Sequence, residues 1–255
     1  MAIYHLQYNH ICRKKGQSAC VAASYQSGSK IFDQRLGKTH NYSRKEKVDH
    51  TEILAPSVAP EWVSDRASLW NAVERNDKRY DARPASEILV ALPKELNQEQ
   101  QKELVKNFVN DNLIDRGLIA DLGFHNLEEN NPHCHILFTT SKINEQGFGK
   151  KDRSLKGKEF LKSIREKWSA QVNEALAKAG INETIDHRSL QERGIDRIPQ
   201  IHLGAKVWAM EARGIQTERG DQLREIKAAN ARIQTLQEKK KSLEAQLDQL
   251  TGVGE

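Results

Sequence analysis

The sequence predicts a protein of the α+β class, and three observations support this. Two apolar runs, Leu118–His125 and His133–Thr140, flank a polar loop and predict an antiparallel β-hairpin. Apolar residues recur at intervals of three and four over Phe160–Ala179, which predicts an amphipathic helix ended by Gly180. Near the N-terminus, Ile3–Tyr8 alternates side chains as a short strand does.

The segments between the first strand and the hairpin predict both helices and loops. Gln17–Gln26 is rich in Ala and Ser and reads as a helix that stops at Gly28. The polar and basic segment Lys30–Ala55 lacks periodicity and predicts a loop. Pro56–Arg79 predicts a helix, and its two tryptophans, Trp62 and Trp70, are expected to pack on the core.

A second strand and a third helix are expected before the hairpin. Glu87–Leu92 is a β-rich run closed by Pro93, and Asn97–Asn112 has the spacing of an amphipathic helix. Residues 181–204 are expected to be irregular.

The C-terminal segment turns helical again from about residue 205, and a heptad pattern begins near residue 220. This indicates an N-terminal domain over residues 1–215 and a helical tail over 216–255. A dimeric coiled coil and a helix docked on the domain both remain open, because the seam formed by heptad positions a and d contains an alanine and a lysine. The seam residues are Ile226, Ala229, Ile233, Leu236, Lys240, Leu243, Leu247 and Leu250.

Composition excludes several classes of protein. No apolar run approaches the roughly 20 residues of a membrane span, and the N-terminus lacks a secretory signal, so we expect an intracellular soluble protein. The three cysteines show no CxxC spacing, which argues against a disulfide framework or a cysteine-zinc site.

Positive charge is concentrated in two segments of a chain whose formal net charge is +5. Met1–His50 carries nine Lys and Arg against three Asp and Glu, and Lys142–Trp168 carries nine against four. Clustered basic residues are typical of proteins that bind a phosphate backbone, although solvated basic loops give the same pattern. The sequence therefore favours nucleic-acid binding without requiring it.

Three histidines surround the loop of the predicted hairpin. His133 and His135 are two residues apart, so their side chains lie on one face of a strand while Cys134 faces the opposite layer. A hairpin centred on Glu129 would set His125 opposite His133, about 5 Å away between Cβ atoms. Three converging imidazoles would form a metal site with positions left for water or substrate.

A metal site beside a basic surface favours phosphoryl chemistry, which needs a nucleophile. Tyr25 follows a basic turn, on a helix whose small residues permit close approach to a sheet or to DNA. A phenol attacks well only when a cation lowers its pKa or a base accepts its proton, and Glu87 is a candidate base.

Four motifs in this order resemble the MobA/MobL relaxases, over residues 1 to about 215. They are the initial Met-Ala-Ile-Tyr-His-Leu, Gln17-Ser-Ala leading to Tyr25, Glu87-x-x-x-Ala-Leu-Pro93, and Asn131-Pro-His-Cys-His135. The resemblance implies the His-hydrophobe-His endonuclease fold, in which helices flank a central antiparallel sheet with a long C-terminal helix following. Cys134 occupies the hydrophobic position between the two histidines.

The resemblance also implies an activity, namely nicking one strand of plasmid DNA at the transfer origin and resealing it after transfer. Tyr25 would be the nucleophile that forms a 5′-phosphotyrosyl intermediate, and Glu87 would assist it. His125, His133 and His135 would hold a divalent metal ion, Mn²⁺ or Mg²⁺ in first place and Zn²⁺ as a further candidate.

The expected partners follow from that activity. They are single-stranded plasmid DNA at the transfer origin, mobilisation accessory proteins and a type IV secretion coupling protein, with a bacterial cytoplasmic location and transfer to the recipient. Three alternatives remain: a rolling-circle replication initiator of the same chemistry, a non-catalytic metal-stabilised nucleic-acid-binding module, and an ordinary metal-dependent hydrolase. The segments expected to follow the DNA backbone contain Arg13, Lys14, Lys15, Lys150, Lys151, Arg153 and Lys156, and Tyr42, Phe148 or a Trp would stack on bases.

Overall fold

A computed structural model describes residues 4–129, 131–201 and 203–251 of the chain. Its centre is an antiparallel sheet of five strands. The expected α+β architecture, a central antiparallel sheet flanked by helices and followed by a long C-terminal helix, is confirmed. The strands of this sheet are β1 (Leu6–Ile11), β4 (Val48–Leu54), β5 (Ala85–Ala91), β6 (Ala120–His125) and β7 (His133–Thr139). They lie side by side in the order β1-β5-β7-β6-β4.

The first strand lies further along the chain than the sequence predicts. It spans Leu6–Ile11 and pairs with β5 from Leu6 opposite Val90 to Ile11 opposite Ala85. Ile3, with which the predicted strand begins, lies outside the described residues. The polar Asn9 concealed the continuation, because one side of an edge strand faces solvent.

The expectation of a loop over Lys30–Ala55 is wrong. This segment forms a two-stranded ribbon, β2 (Lys30–Asp33) with β3 (Lys38–Asn41), and then the edge strand β4. A ribbon and an edge strand bury few side chains, so their apolar pattern is faint in the sequence. A further hairpin that the sequence analysis did not anticipate joins β8 (Ser141–Asn144) to β9 (Gly147–Lys151).

Helices cover both faces of the sheet and enclose two cores. On one face lie α3 (Gln98–Asn112) and α4 (Lys158–Lys178), which match the predicted helices, and Phe108 of α3 packs edge-on against Trp168 of α4. On the other face lie α1 (Ala19–Ser27) and α2 (Arg66–Asn76). The second face carries the three histidines.

The helix predicted over Pro56–Arg79 is shorter than expected. A 3₁₀ turn at Glu61–Ser64 precedes α2, whose first turn is capped by the Asp65 side chain. Trp70 is fully buried, as predicted, and its Nε1 donates a hydrogen bond to Asp121. The prediction is wrong for Trp62, which is 38% exposed and packs against Phe148 instead of the core.

The chain divides into two compact units, Met1–His187 and Arg188–Glu255. The C-terminal unit contains α5 (Ala205–Ala212) and α6 (Glu218–Thr251). On α6, Leu236 of the predicted seam is 65% exposed, and Leu243 and Leu247 are exposed as well. The side chain of Leu250 lies outside the described part. A dimer through this helix, and a domain boundary at residue 215, stay predictions.

Helix α1 ends close to the sheet, and the residue beneath it is a glycine. The Gln26 side chain donates a hydrogen bond to the Asp121 carbonyl on β6 at 2.9 Å, and the Gln26 carbonyl faces Gly123. A Cβ atom at Gly123 would lie 2.7 Å from that carbonyl oxygen, nearer than real Cβ atoms come. Gly123 is therefore required for α1 to pack at its observed distance from the sheet.

We expect Gly123→Ala to lower the free energy of unfolding by roughly 1–3 kcal/mol, because α1 must move away from the sheet. Urea denaturation measures this effect. Gly149→Ala is the control, since a Cβ there meets its nearest neighbour at 3.8 Å and should be tolerated. Equal midpoints for the two variants would show that α1 does not depend on this contact.

Candidate active site

The three histidines converge on the α1 face of the sheet. His125 at the end of β6 pairs in register with His133 at the start of β7, as the loop between them predicted. The ring centroids lie 5.1 Å apart for His125 and His133, 5.0 Å for His125 and His135, and 5.4 Å for His133 and His135. One nitrogen from each ring lies within 4.8 Å of the others, so the cluster could hold a metal ion.

One nitrogen of each imidazole faces an oxygen acceptor at 2.7 Å. His125 Nε2 contacts the Gln26 carbonyl, His133 Nδ1 the Asn131 carbonyl, and His135 Nδ1 the Glu87 carboxylate. A hydrogen bond of this kind fixes the ring orientation and the tautomer. The lone pair of each ring then lies on the remaining nitrogen, which is Nε2 in His133 and His135, and in His125 is the Nδ1 that Lys45 Nζ contacts at 3.3 Å.

Burial favours the neutral forms of His125 and His133. Burial, the nearby Lys45 cation and the other two histidines together lower the pKa of His125 to about 4, against the opposing effect of the hydrogen bond that His125 donates to the Gln26 carbonyl. Burial also lowers the pKa of His133. Imidazoles with oriented lone pairs fit a divalent ion that favours nitrogen ligands, and three such ligands leave coordination positions open.

Tyr25 stands at the end of α1 above this cluster. Its side chain is 47% exposed, and its ring centroid lies 6.3 Å from that of His135. The helix begins at Ser18, whose side chain accepts from the Cys20 amide, and ends at Gly28 with a left-handed φ of 59°. The phenol therefore lies beside the imidazoles on a helix with both ends capped.

Glu87 lies in the same site, on β5. The contact it makes is with His135 Nδ1, at 2.7 Å. That contact is the carboxylate–histidine arrangement that orients metal ligands in many proteins. Its role as the base for Tyr25 stays a prediction, and the geometry adds a second role for it.

Lys45 belongs to the site, although the sequence analysis did not single it out. Its Nζ lies 3.7 Å from the Tyr25 ring centroid and 3.3 Å from His125 Nδ1. Burial lowers the pKa of Lys45 to about 8, against an opposing effect of Glu87. The lysine is one of several basic residues in the loop between β3 and β4. Nothing in the sequence marks it out from them, because the path of the chain after the ribbon of β2 and β3 is what brings it to the site.

A basic groove of about 1530 Å³ brings the two positive segments of the sequence together. It is lined by five of the seven basic residues expected on the DNA backbone and by the exposed Tyr80. Arg13 is a different case, because its side chain is almost buried in an ion pair with Glu74. The five basic residues are Lys14, Lys150, Lys151, Arg153 and Lys156.

The aromatic residues expected to stack on bases have different surroundings. Tyr42 packs edge-on against Tyr25, with ring centroids 5.4 Å apart. Phe148 packs against Trp62 at 5.9 Å. Tyr42 is thus the aromatic side chain of this group that adjoins the candidate nucleophile.

Among the helices of the described residues, none has the length and apolar character that crossing a membrane requires.

Comparison with known proteins assigns a family. The model of the MobA/MobL family matches residues 17–213. Mobilization protein MobL of Acidithiobacillus ferridurans is 35% identical over 292 residues, covering 99% of this chain and 76% of that protein. Mobilization protein A of Escherichia coli is 36% identical over 264 residues, covering 96% of this chain and 35% of that protein.

The relatives differ greatly in length. Conjugal transfer protein TraA of Agrobacterium fabrum is 32% identical over 253 residues, covering 86% of this chain but only 23% of that protein. The chain thus spans about a quarter of TraA and about a third of the Escherichia coli protein.

A solved structure, described as the molecular basis of vancomycin resistance transfer in Staphylococcus aureus, resembles this fold. Its TM-score is 0.69 at 32% sequence identity, and the match covers 74% of this chain and all of that one. Together with the family model over most of the sequence and the relatives at similar identity, this places the chain by descent: it belongs to the MobA/MobL family.

Proposed function

We propose that this chain is a relaxase that nicks one strand of plasmid DNA at the transfer origin and reseals it after transfer. The single observation that carries the proposal is the position of the Tyr25 phenol beside three converging imidazoles. Relatives described as mobilization and conjugal transfer proteins support the biological setting. The basic groove supports a polyanionic substrate.

In the proposed reaction, Tyr25 Oη attacks the scissile phosphorus. The bond between phosphorus and the 3′-oxygen breaks, the phenol loses its proton, and the 3′-oxygen gains one. The products are a 5′-phosphotyrosyl linkage and a free 3′-hydroxyl, and the reverse reaction reseals the strand. A divalent ion held by His125, His133 and His135 would offset the negative charge that develops on the phosphate.

Several details of the proposal concern the surroundings of the site. Mn²⁺ or Mg²⁺ would serve as the ion, with Zn²⁺ as a further candidate. The chain would act in the bacterial cytoplasm with mobilisation accessory proteins, meet a type IV secretion coupling protein, and pass to the recipient with the DNA. The groove lysines would follow the single-stranded backbone, with Tyr42 beside the nucleophile.

Glu87 would hold His135 in position. An ionised carboxylate that accepts from Nδ1 keeps Nε2 free and makes the imidazole a better ligand. This positioning role differs in its consequences from the general-base role that the sequence suggests, and the two can be separated by experiment.

Tyr25→Phe should abolish covalent capture of DNA while leaving binding unchanged, because only the attacking oxygen is lost. The protein is incubated with labelled single strands from its own plasmid, and a denaturant-stable protein–DNA band is measured. Tyr42→Phe is the matched control and should retain the band. A band at wild-type level from Tyr25→Phe would contradict the assignment of the nucleophile.

The same strands separate the alternatives. A replication initiator would capture strands from the replication origin, a hydrolase would leave a free 5′-phosphate, and a binding module would give no covalent band.

Mn²⁺ should stabilise the folded protein by about 2.7 kcal/mol when its free concentration is about 100 times Kd. His135→Ala should remove this stabilisation, because it deletes one of three ligands. Thermal denaturation with and without the ion measures the effect, and His187→Ala, away from the cluster, is the control. An equal shift in wild type and His135→Ala would exclude the trio as the binding site.

Glu87→Gln should weaken Mn²⁺ binding roughly 10- to 100-fold, because the charged partner of His135 is lost. The cleavage rate at saturating Mn²⁺ should then recover most of its wild-type value. Calorimetric titration and single-turnover cleavage measure the two quantities. Unchanged Mn²⁺ affinity with a rate that stays low at saturation would instead support the general-base role.

A further inference from the structure

Lys45 is a partly buried lysine next to the proposed nucleophile. It lies between β3 and β4, where its amide donates to the Tyr42 carbonyl and closes a turn at 2.8 Å. Its Nζ donates to the Tyr25 carbonyl oxygen at 3.1 Å and lies over the Tyr25 ring. The same Nζ is 3.3 Å from His125 Nδ1. One amine therefore contacts both the candidate nucleophile and the candidate metal cluster.

The neighbouring basic residue offers a contrast. Lys47, two residues later, is exposed and pairs with the Glu129 carboxylate at 2.8 Å. Lys45 is partly buried, and among the described residues it has no carboxylate within ion-pair distance. Its observed hydrogen-bond partners are a carbonyl oxygen and a ring nitrogen, both neutral. A partly buried ammonium that forms no ion pair, and on which the Glu87 carboxylate acts only from beyond ion-pair distance, is suited to an anionic ligand.

The scissile phosphate is the anion that would come to this place. A phosphorus atom attacked by Tyr25 and bound beside the imidazoles must lie between the phenol and the trio, and Nζ borders both. We propose that Lys45 is a catalytic residue whose ammonium binds a non-bridging oxygen of the scissile phosphate during attack by Tyr25. This inference rests on the proposed relaxase function.

Metal binding would direct the amine toward the phosphate. His125 donates through Nε2 to Gln26, so its Nδ1 lone pair is the one available to an ion. Lys45 Nζ contacts that lone pair in the structure, and the amine and a metal ion cannot both bind it at the same time. Once the lone pair is occupied, Nζ needs another acceptor, and a phosphate oxygen is a stronger one than a neutral nitrogen.

A binding cycle tests contact between Lys45 and the phosphate. In a Tyr25→Phe background with Mn²⁺ present, Kd is measured for an oligonucleotide spanning the nick, with either the normal phosphate or a neutral methylphosphonate at the scissile position. Lys45→Gln should weaken binding roughly tenfold for the normal phosphate and little for the methylphosphonate. Lys45→Arg should recover part of the loss, because it restores the cation.

Lys47→Gln is the matched control, since it removes a cation of the same loop that pairs with Glu129. It should change the two affinities equally and slightly. An equal penalty from Lys45→Gln on both oligonucleotides would overturn the proposal, because the lysine would then act without touching the scissile charge.

Two further measurements separate Lys45 from the wider account. Lys45→Gln should slow single-turnover adduct formation roughly 100-fold and should bind Mn²⁺ at least as tightly as wild type, since the competing amine is gone. A wild-type rate, or weakened Mn²⁺ binding, would contradict the assignment. No adduct from the wild-type protein on any strand would instead contradict the relaxase function itself.

Discussion

The geometry of the site depends on how closely the last turn of α1 approaches β6. Gln26 makes two contacts there, as its side chain donates to Asp121 and its carbonyl accepts from His125. Both need the absence of a side chain at Gly123. The contact that orients one proposed metal ligand, His125, is thus made by the residue next to Tyr25, so Gln26 fixes both that ligand and the helix turn that carries the proposed nucleophile.

The charges around α1 support this arrangement from its other end. The buried Glu74 carboxylate accepts from the Ala19 amide at the start of α1 and pairs with Arg13 and Arg35. A buried carboxylate with this many donors is a rigid anchor. Arg13 therefore contributes to the site by holding the helix, whereas Lys14, Lys150 and Lys156 line the groove that a polyanion would occupy.

Sequence reasoning located the histidines because a strand repeats every two residues and a short loop fixes the register opposite His133. It could not find Lys45, whose place depends on a ribbon with little apolar pattern. The role of Gly123 could not be predicted for a similar reason, because it depends on the close packing of α1 against β6. The contact of Glu87 with His135 joins two strands far apart in the chain, and only the sheet register brings them together.

The most direct test measures the distance between the Tyr25 ring and a metal bound by the trio. 3-Fluorotyrosine at position 25 allows ¹⁹F relaxation to be recorded with Mn²⁺ bound, against Zn²⁺ as the diamagnetic reference. The account predicts a fluorine–manganese distance comparable to the 6.3 Å between the ring centroids of Tyr25 and His135. A distance more than twice that value, or identical relaxation with both ions, would contradict it.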